Sequence, residues 1–168
     1  RFTEVLFDLK RQRFPFILID EHSNDPEIPS VSAENTAGGY MVGKALVDLG
    51  HRRIGFIGNL ATQTVRGRVE GLRDAIGDRG FPFDRSLVMD LNVQPQENWS
   101  ERIAQCTREL MARDDRPTAV FFSNDQVAAD AYQTLGAMGL RIPEDVSVVG
   151  FDDSPICRWL TPRLATVR

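Results

Sequence analysis

Short apolar runs alternate with amphipathic helical stripes along almost the whole chain, and few architectures accept that alternation. The apolar runs are Phe16–Ile19, Ile54–Ile57, Leu87–Met89, Ala119–Phe122 and Val146–Phe151. Four of the five are nearly continuous in apolar character, as expected of strands covered on both faces in a parallel sheet. Between them lie stripes at helical spacing. These are Phe2, Val5, Leu6 and Leu9; Met41, Val42, Ala45, Leu46 and Leu49; Val65, Val69, Leu72 and Ile76; Trp99, Ile103, Cys106 and Leu110; and Val127, Ala131, Leu135 and Met138. Gly50, Gly80 and Gly139 are placed to end three of these helices, and Asn98, three residues before Glu101, to cap the start of another. The pattern predicts an α/β protein with a doubly wound parallel sheet.

Composition closes off other classes. At 168 residues, 42% hydrophobic and 26% charged, the chain has the make-up of a globular domain. No apolar run reaches the ~18–20 residues of a spanning helix, so no membrane partner is expected. No charged-then-apolar leader opens the sequence, and Cys106 and Cys157 lack metal-ligand or disulfide spacing. Both features fit reduced thiols in a cytoplasmic protein. A net charge of −4 makes this piece a poor grip on phosphate backbones by itself.

In open α/β sheets ligands bind beyond the carboxyl ends of the strands. Asp20 follows the first run. Gly58 and Asn59 follow the second, with Arg68 in the early part of the next helix. Ser123, Asn124 and Asp125 follow the fourth, and Asp152 and Asp153 the fifth. Carboxylates accept from hydroxyls and ring N–H groups, arginine donates two parallel bonds, and asparagine does both, so this rim suits a small polar ligand. Each residue also has a plainer reading. Asp125 or Asn124 would cap the following helix. Asp20 would be a solvated loop acid, and Arg68 would pair with Glu70 or Asp74 on the helix surface. Asp153 reads as a turn or lip residue. Trp99 lies on its own helix's apolar stripe, which favours packing, though its place near the helix start also lets it stack on a ligand. Catalytic signatures are missing: no P-loop, no dinucleotide fingerprint and no nucleophile elbow. His22 and His51 are the two histidines, without metal-ligand spacing, and His51 reads as structural at a helix end. No catalytic residue, metal or cofactor is assigned.

These residues resemble a known family. Val31–Asn35 through Leu49–Gly58 looks like the effector-binding domain of lac repressor / galactose repressor regulators. Arg68–Leu72, Pro117–Asp125 and Gly139–Asp153 match it in the same order. The tail Leu160–Val167 is similar to the family's closing Pro-x-Leu-Thr-Thr stretch, with Ala165 departing from it. The resemblance implies a type I periplasmic-binding-protein-like fold, N-terminally truncated. Residues 1–32 would be a fragment of the N-terminal lobe (helix plus strand), residues 33–162 a complete C-terminal lobe, and residues 163–168 a crossover strand back toward the N-terminal lobe. Residues 1–32 would then be poorly supported. The resemblance carries ligand contacts to Asp20, Arg68, Asn124 and Asp152, places Trp99 where members set an aromatic over the ligand, and puts Thr62 and Thr64 in a loop that adds polar contacts. It implies a small-molecule effector of sugar or sugar-like chemistry, an allosteric shift of the lobes, and DNA binding only through a head domain absent from this chain. It also implies a homodimer through the C-terminal lobe, using 125–138 and 154–160. Ile156, Cys157, Trp159 and Leu160 form an apolar cluster there, whose alternative is packing within the lobe. The competing functions are a periplasmic sugar-binding protein of a transporter and an enzyme or phosphoacceptor. The last would want a lysine at a strand end, and neither Lys10 nor Lys44 is so placed.

Overall fold

The computed structural model describes residues 2–21, 23, 25–92 and 98–168; His22 and the Phe2 side chain lie outside the described residues. Five parallel strands form the main sheet: β3 (Ile54–Gly58), β4 (Val88–Asp90), β5 (Ala119–Phe122), β6 (Ser147–Phe151) and β7 (Ala165–Val167), in the order β4-β3-β5-β6-β7. Ahead of them, β1 (Leu18–Ile19) and β2 (Ser30–Val31) make a separate parallel pair. The helices are α1 (Phe2–Arg11), α2 (Asn35–Asp48), α3 (Gln63–Asp78), α4 (Trp99–Met111) and α5 (Asp125–Ala137), with short 3-10 turns at Arg85–Leu87 and Pro155–Arg158.

Alternation along the strands builds three layers. Ile54, Phe56, Ala119, Phe121 and Phe151 face α2 and α3, while Ile57, Val120, Phe122 and Val148 face α4 and α5. The expected doubly wound α/β class is the observed one. Gly50, Gly80 and Gly139 take positive φ after α2, α3 and α5, a conformation open to glycine at a helix end.

The α2 stripe needs correction. Val42 and Leu46 are buried as expected, but Met41, Ala45 and Leu49 are exposed, and α2 buries Gly38, Gly39, Gly43 and Val47 beside the two. A methyl on Gly39 would strike the Arg68 carbonyl, and one on Gly71 would strike the Thr36 carbonyl. Glycines, invisible to a hydrophobic-period reading, set this helix pair in near backbone contact. The first strand is shorter than its apolar run, because Phe16 and Ile17 precede the pairing, and β2 was not expected at all. Leu87 belongs to a 3-10 turn and the fourth strand starts at Val88.

The N-terminal segment has a core of its own around Leu6, Leu18 and Ile28, with Lys10 paired to Asp25. Phe7, Phe14, Ile17, Ile19 and Val31 stay exposed, in keeping with a sparsely supported segment.

Candidate functional site

β4 lies on one side of β3 and β5 on the other, so the chain reverses direction across the sheet between β3 and β5. A crevice opens at such a switch point, beyond the strand ends. Arg68 reaches into it from the second turn of α3. Only 8% exposed, it donates through Nη1 to the Ser123 carbonyl just past β5 and through Nε to Asn35 Oδ1 at 2.9 Å. Its guanidinium lies over the Phe151 ring, 3.7 Å from the centroid, a stacked cation–π contact. Nη2 is 3.7 Å from Asp152 Oδ1, too far for a hydrogen bond. Arg68 is therefore held on two sides and left with donor capacity toward Asp152. The plainer alternative for Arg68, a surface pairing with Glu70 or Asp74, is overturned, since Asp74 takes Arg73 and Arg68 turns inward.

Burial draws the Arg68 pKa below the ordinary arginine value, against the opposing pull of Asp152, Asp20 and Asp125. It stays a guanidinium. Asp152 is half-exposed, and burial pushes its pKa up; Arg68 opposes that, while Asp125 and Asp20 add to it. Asp20, Arg68 and Asp152 thus lie within one another's electrostatic reach. Asp20 is exposed, at positive φ, and accepts from the Ala33 amide at 3.3 Å.

Asn124 caps α5, its Oδ1 accepting from the Val127 amide at 2.9 Å. That cap turns the side chain so that its Nδ2 has no partner among the described residues. Asp125 is not a cap. It is 1% exposed and ties two later segments to α5, accepting from Ser154 N at 2.7 Å and Thr166 Oγ1 at 2.6 Å. Asp153 sits at positive φ on the lip, with Arg168 3.6 Å away.

Trp99 opens α4 and is 47% exposed, so the packing reading for it fails; it belongs to neither core cluster. No described contact brings it to Arg68. Thr64 lines a polar cleft of about 380 Å³ between the starts of α2 and α3, together with Ser32, Asn35, Thr36 and Glu70. Asn35 links the two places, lining that cleft while holding Arg68. Asn35 and Phe151 are the residues sequence reasoning missed. Asn35 looks like an ordinary helix-start asparagine, and Phe151 like one more strand hydrophobe.

His51 bridges Thr118 Oγ1 (2.8 Å) and Ser147 Oγ (3.1 Å), beside the turns that open β5 and β6, as its structural reading expected. Both cysteines are buried and unpaired. Among the described residues, no group of His, Cys, Asp and Glu could hold a metal ion, and no helix is long and apolar enough to cross a membrane.

A parallel α/β lobe with helices on both faces and polar residues at its strand ends has the architecture of the periplasmic-binding-protein-like class. The periplasmic binding protein-like domain family matches residues 44–168, and the chain belongs to that family. The resemblance to lac repressor-type effector-binding domains is borne out. The chain is 32% identical over 154 residues to the HTH-type transcriptional repressor PurR of Pasteurella multocida, a match covering 91% of this chain and 45% of that protein. It is equally similar, with the same coverage, to the ribose operon repressor of Haemophilus influenzae. The chain spans about half the length of these relatives. A LacI family transcriptional regulator from Enterococcus faecium, solved with bound ribose, superposes with a TM-score of 0.82 at 30% identity, covering 98% of this chain and 59% of that one.

Proposed function

We propose that this chain is the effector-sensing and dimerisation module of a cytoplasmic, DNA-binding transcriptional regulator, and that it performs no catalysis. Residues 33–162 act as the C-terminal lobe, residues 1–32 belong to the N-terminal lobe, and residues 163–168 lead back toward it. The ligand lies between the lobes, held by Asp20, Arg68, Asn124 and Asp152, with Trp99 and Thr64 at its margins. The observation that carries this reading is the buried Arg68, fixed by Asn35 and Ser123 yet short of a full bond to Asp152. A pair of ligand hydroxyls between Nη2 and Asp152 completes both groups, and a ligand lacking them leaves both unpaired. A ribose-like polyhydroxylated ligand fits that chemistry, and the ribose-bound relative supports it. Ligand shifts the lobe arrangement by its differential affinity for two states, and DNA is contacted through a head domain outside this chain.

A thermal-shift screen of sugars, polyols and purines on the intact protein tests the assignment. An active ligand raises the melting temperature of the wild type. Arg68→Lys and Asp152→Asn each keep cooperative unfolding and lose most of that rise, since each breaks a charge-assisted contact worth more than about tenfold in affinity. An undiminished rise in both variants would refute the site.

A further inference from the structure

A second cleft, of about 340 Å³, runs along the outer flank of α3. Val69, Phe83 and Val88 line it, partly buried hydrophobes that rest on the α2/α3-side core. Around this apolar lining stand three arginines, Arg66, Arg73 and Arg85, with Glu70 as the acid among the lining residues. Among the described residues only Arg73 of the three has a carboxylate partner, the neighbouring Asp74. Arg66 Nη1 is pinned to the carbonyls of Leu60 (2.7 Å) and Ala61 (2.8 Å), which orients the guanidinium and leaves its other nitrogens to donate. Arg73 holds Asp74 in an exposed pair, which binds weakly in water. Among the described residues the Arg85 side chain has neither a hydrogen bond nor an ion pair, its carbonyl alone accepting from the Val88 amide, and Glu70 pairs with none of the three. A chain of net charge −4 thus gathers positive charge at one hollow with an apolar lining. From position 66 to 73 a helix rises about 10 Å, the length of a small metabolite.

We propose that this flank binds a small anionic metabolite in which a phosphate or carboxylate group is joined to a ring or another apolar body. The anion meets the arginine fork geometry, which suits bidentate oxyanion recognition. The apolar body covers Val69, Phe83 and Val88. The size and lining match those of ligand pockets, mostly apolar with a few placed polar groups. The site is separate from the strand-end crevice, because Arg68, Asn124 and Asp152 do not line it, and it does not rest on the function proposed for that crevice. Arg66 and Glu70 also line the polar cleft beside Asn35, so an occupant would press on the helix that carries Arg68.

Isothermal titration of the intact protein with phenyl phosphate tests this. The probe binds saturably, and more weakly as salt rises. Inorganic phosphate and benzyl alcohol, each carrying half of the recognition, bind at least about tenfold more weakly. The double variant Arg73→Ala/Arg85→Ala loses at least about tenfold in affinity for phenyl phosphate and keeps the wild-type melting temperature, since neither residue is in the core. Asp152→Asn leaves phenyl phosphate binding unchanged. The proposal is overturned by an absence of saturable binding up to about 10 mM, by inorganic phosphate binding as tightly as phenyl phosphate, or by unchanged affinity in the double variant. A change of affinity in Asp152→Asn also overturns it, and a gain above all, since removing that carboxylate frees Arg68 for an anion and places the probe in the strand-end crevice.

Discussion

Asp152 is held where its charge is least welcome. It sits at φ 106°, its pKa raised by burial and by Asp125 and Asp20, with Arg68 close but not bonded. A carboxyl whose folded pKa exceeds its ordinary 3.8 lends stability that is complete below that value and lost as pH rises through the folded one. At neutral pH the ionised Asp152 therefore works against folding. Asparagine tolerates positive φ and carries no charge, so Asp152→Asn is expected to melt slightly higher than the wild type at pH 7. The gain is at most about 1 kcal/mol, since water screens a half-exposed group, or a few degrees for a domain of this size. The difference in melting temperature between variant and wild type should shrink as pH falls from about 7 toward 4. Melts across that range decide the matter: a variant less stable at pH 7, or a difference independent of pH, would show that Arg68 more than compensates the charge. A gain in stability together with a loss of ligand response is the trade-off expected where a site is built for recognition.

At the scale of elements, α2 and α3 act as one unit because their glycines let the backbones touch. Gly71 faces the Thr36 carbonyl and the Tyr40 amide, and Gly39 faces the Arg68 carbonyl. Gly71→Ala is expected to destabilise by about 1–3 kcal/mol, the range for forcing volume into a packed interface, and to weaken ligand binding as well, since α3 carries Arg68 and α2 carries Asn35. Urea unfolding gives the first quantity and ligand-induced stabilisation the second; a neutral Gly71→Ala would mean the helices part easily. This pair also shows where the sequence is legible. The strand runs, the glycine stops and the order of elements could be read because each is a local matter of apolar period and turn chemistry. The rim residues could be read because strand ends are known ligand positions in parallel sheets. The glycine interface, the Asn35–Arg68 bond and the Phe151 stacking could not be read, being contacts between residues 29 or more positions apart that leave no periodic trace. Asp125 is the sharpest instance. A helix-start aspartate reads as a cap, yet its oxygens serve Ser154 and Thr166, 29 and 41 residues away.

At the scale of the whole molecule, the cluster after β6 divides in two. Cys157 is buried, and Ile156 and Leu160 rest on the α4/α5-side core, so packing within the lobe accounts for these three. Trp159 is different: it follows the turn Pro155–Arg158 and is 82% exposed. A large rigid aromatic, held by a turn whose other hydrophobes anchor it, has the character of an interface anchor, the residue type that dominates binding when buried in a partner. If the homodimer proposed above forms through the C-terminal lobe, Trp159 is its leading candidate contact. Trp159→Asp should then weaken self-association by at least about 30-fold, the effect of an interface residue worth about 2 kcal/mol or more, while leaving the monomer's melting temperature unchanged because Trp159 supports neither core. Sedimentation velocity over a concentration series of the intact protein measures it. A dimer that survives Trp159→Asp unweakened would move the interface to another face of the lobe, and a wild type that stays monomeric at all concentrations would favour the transport-receptor reading of this fold.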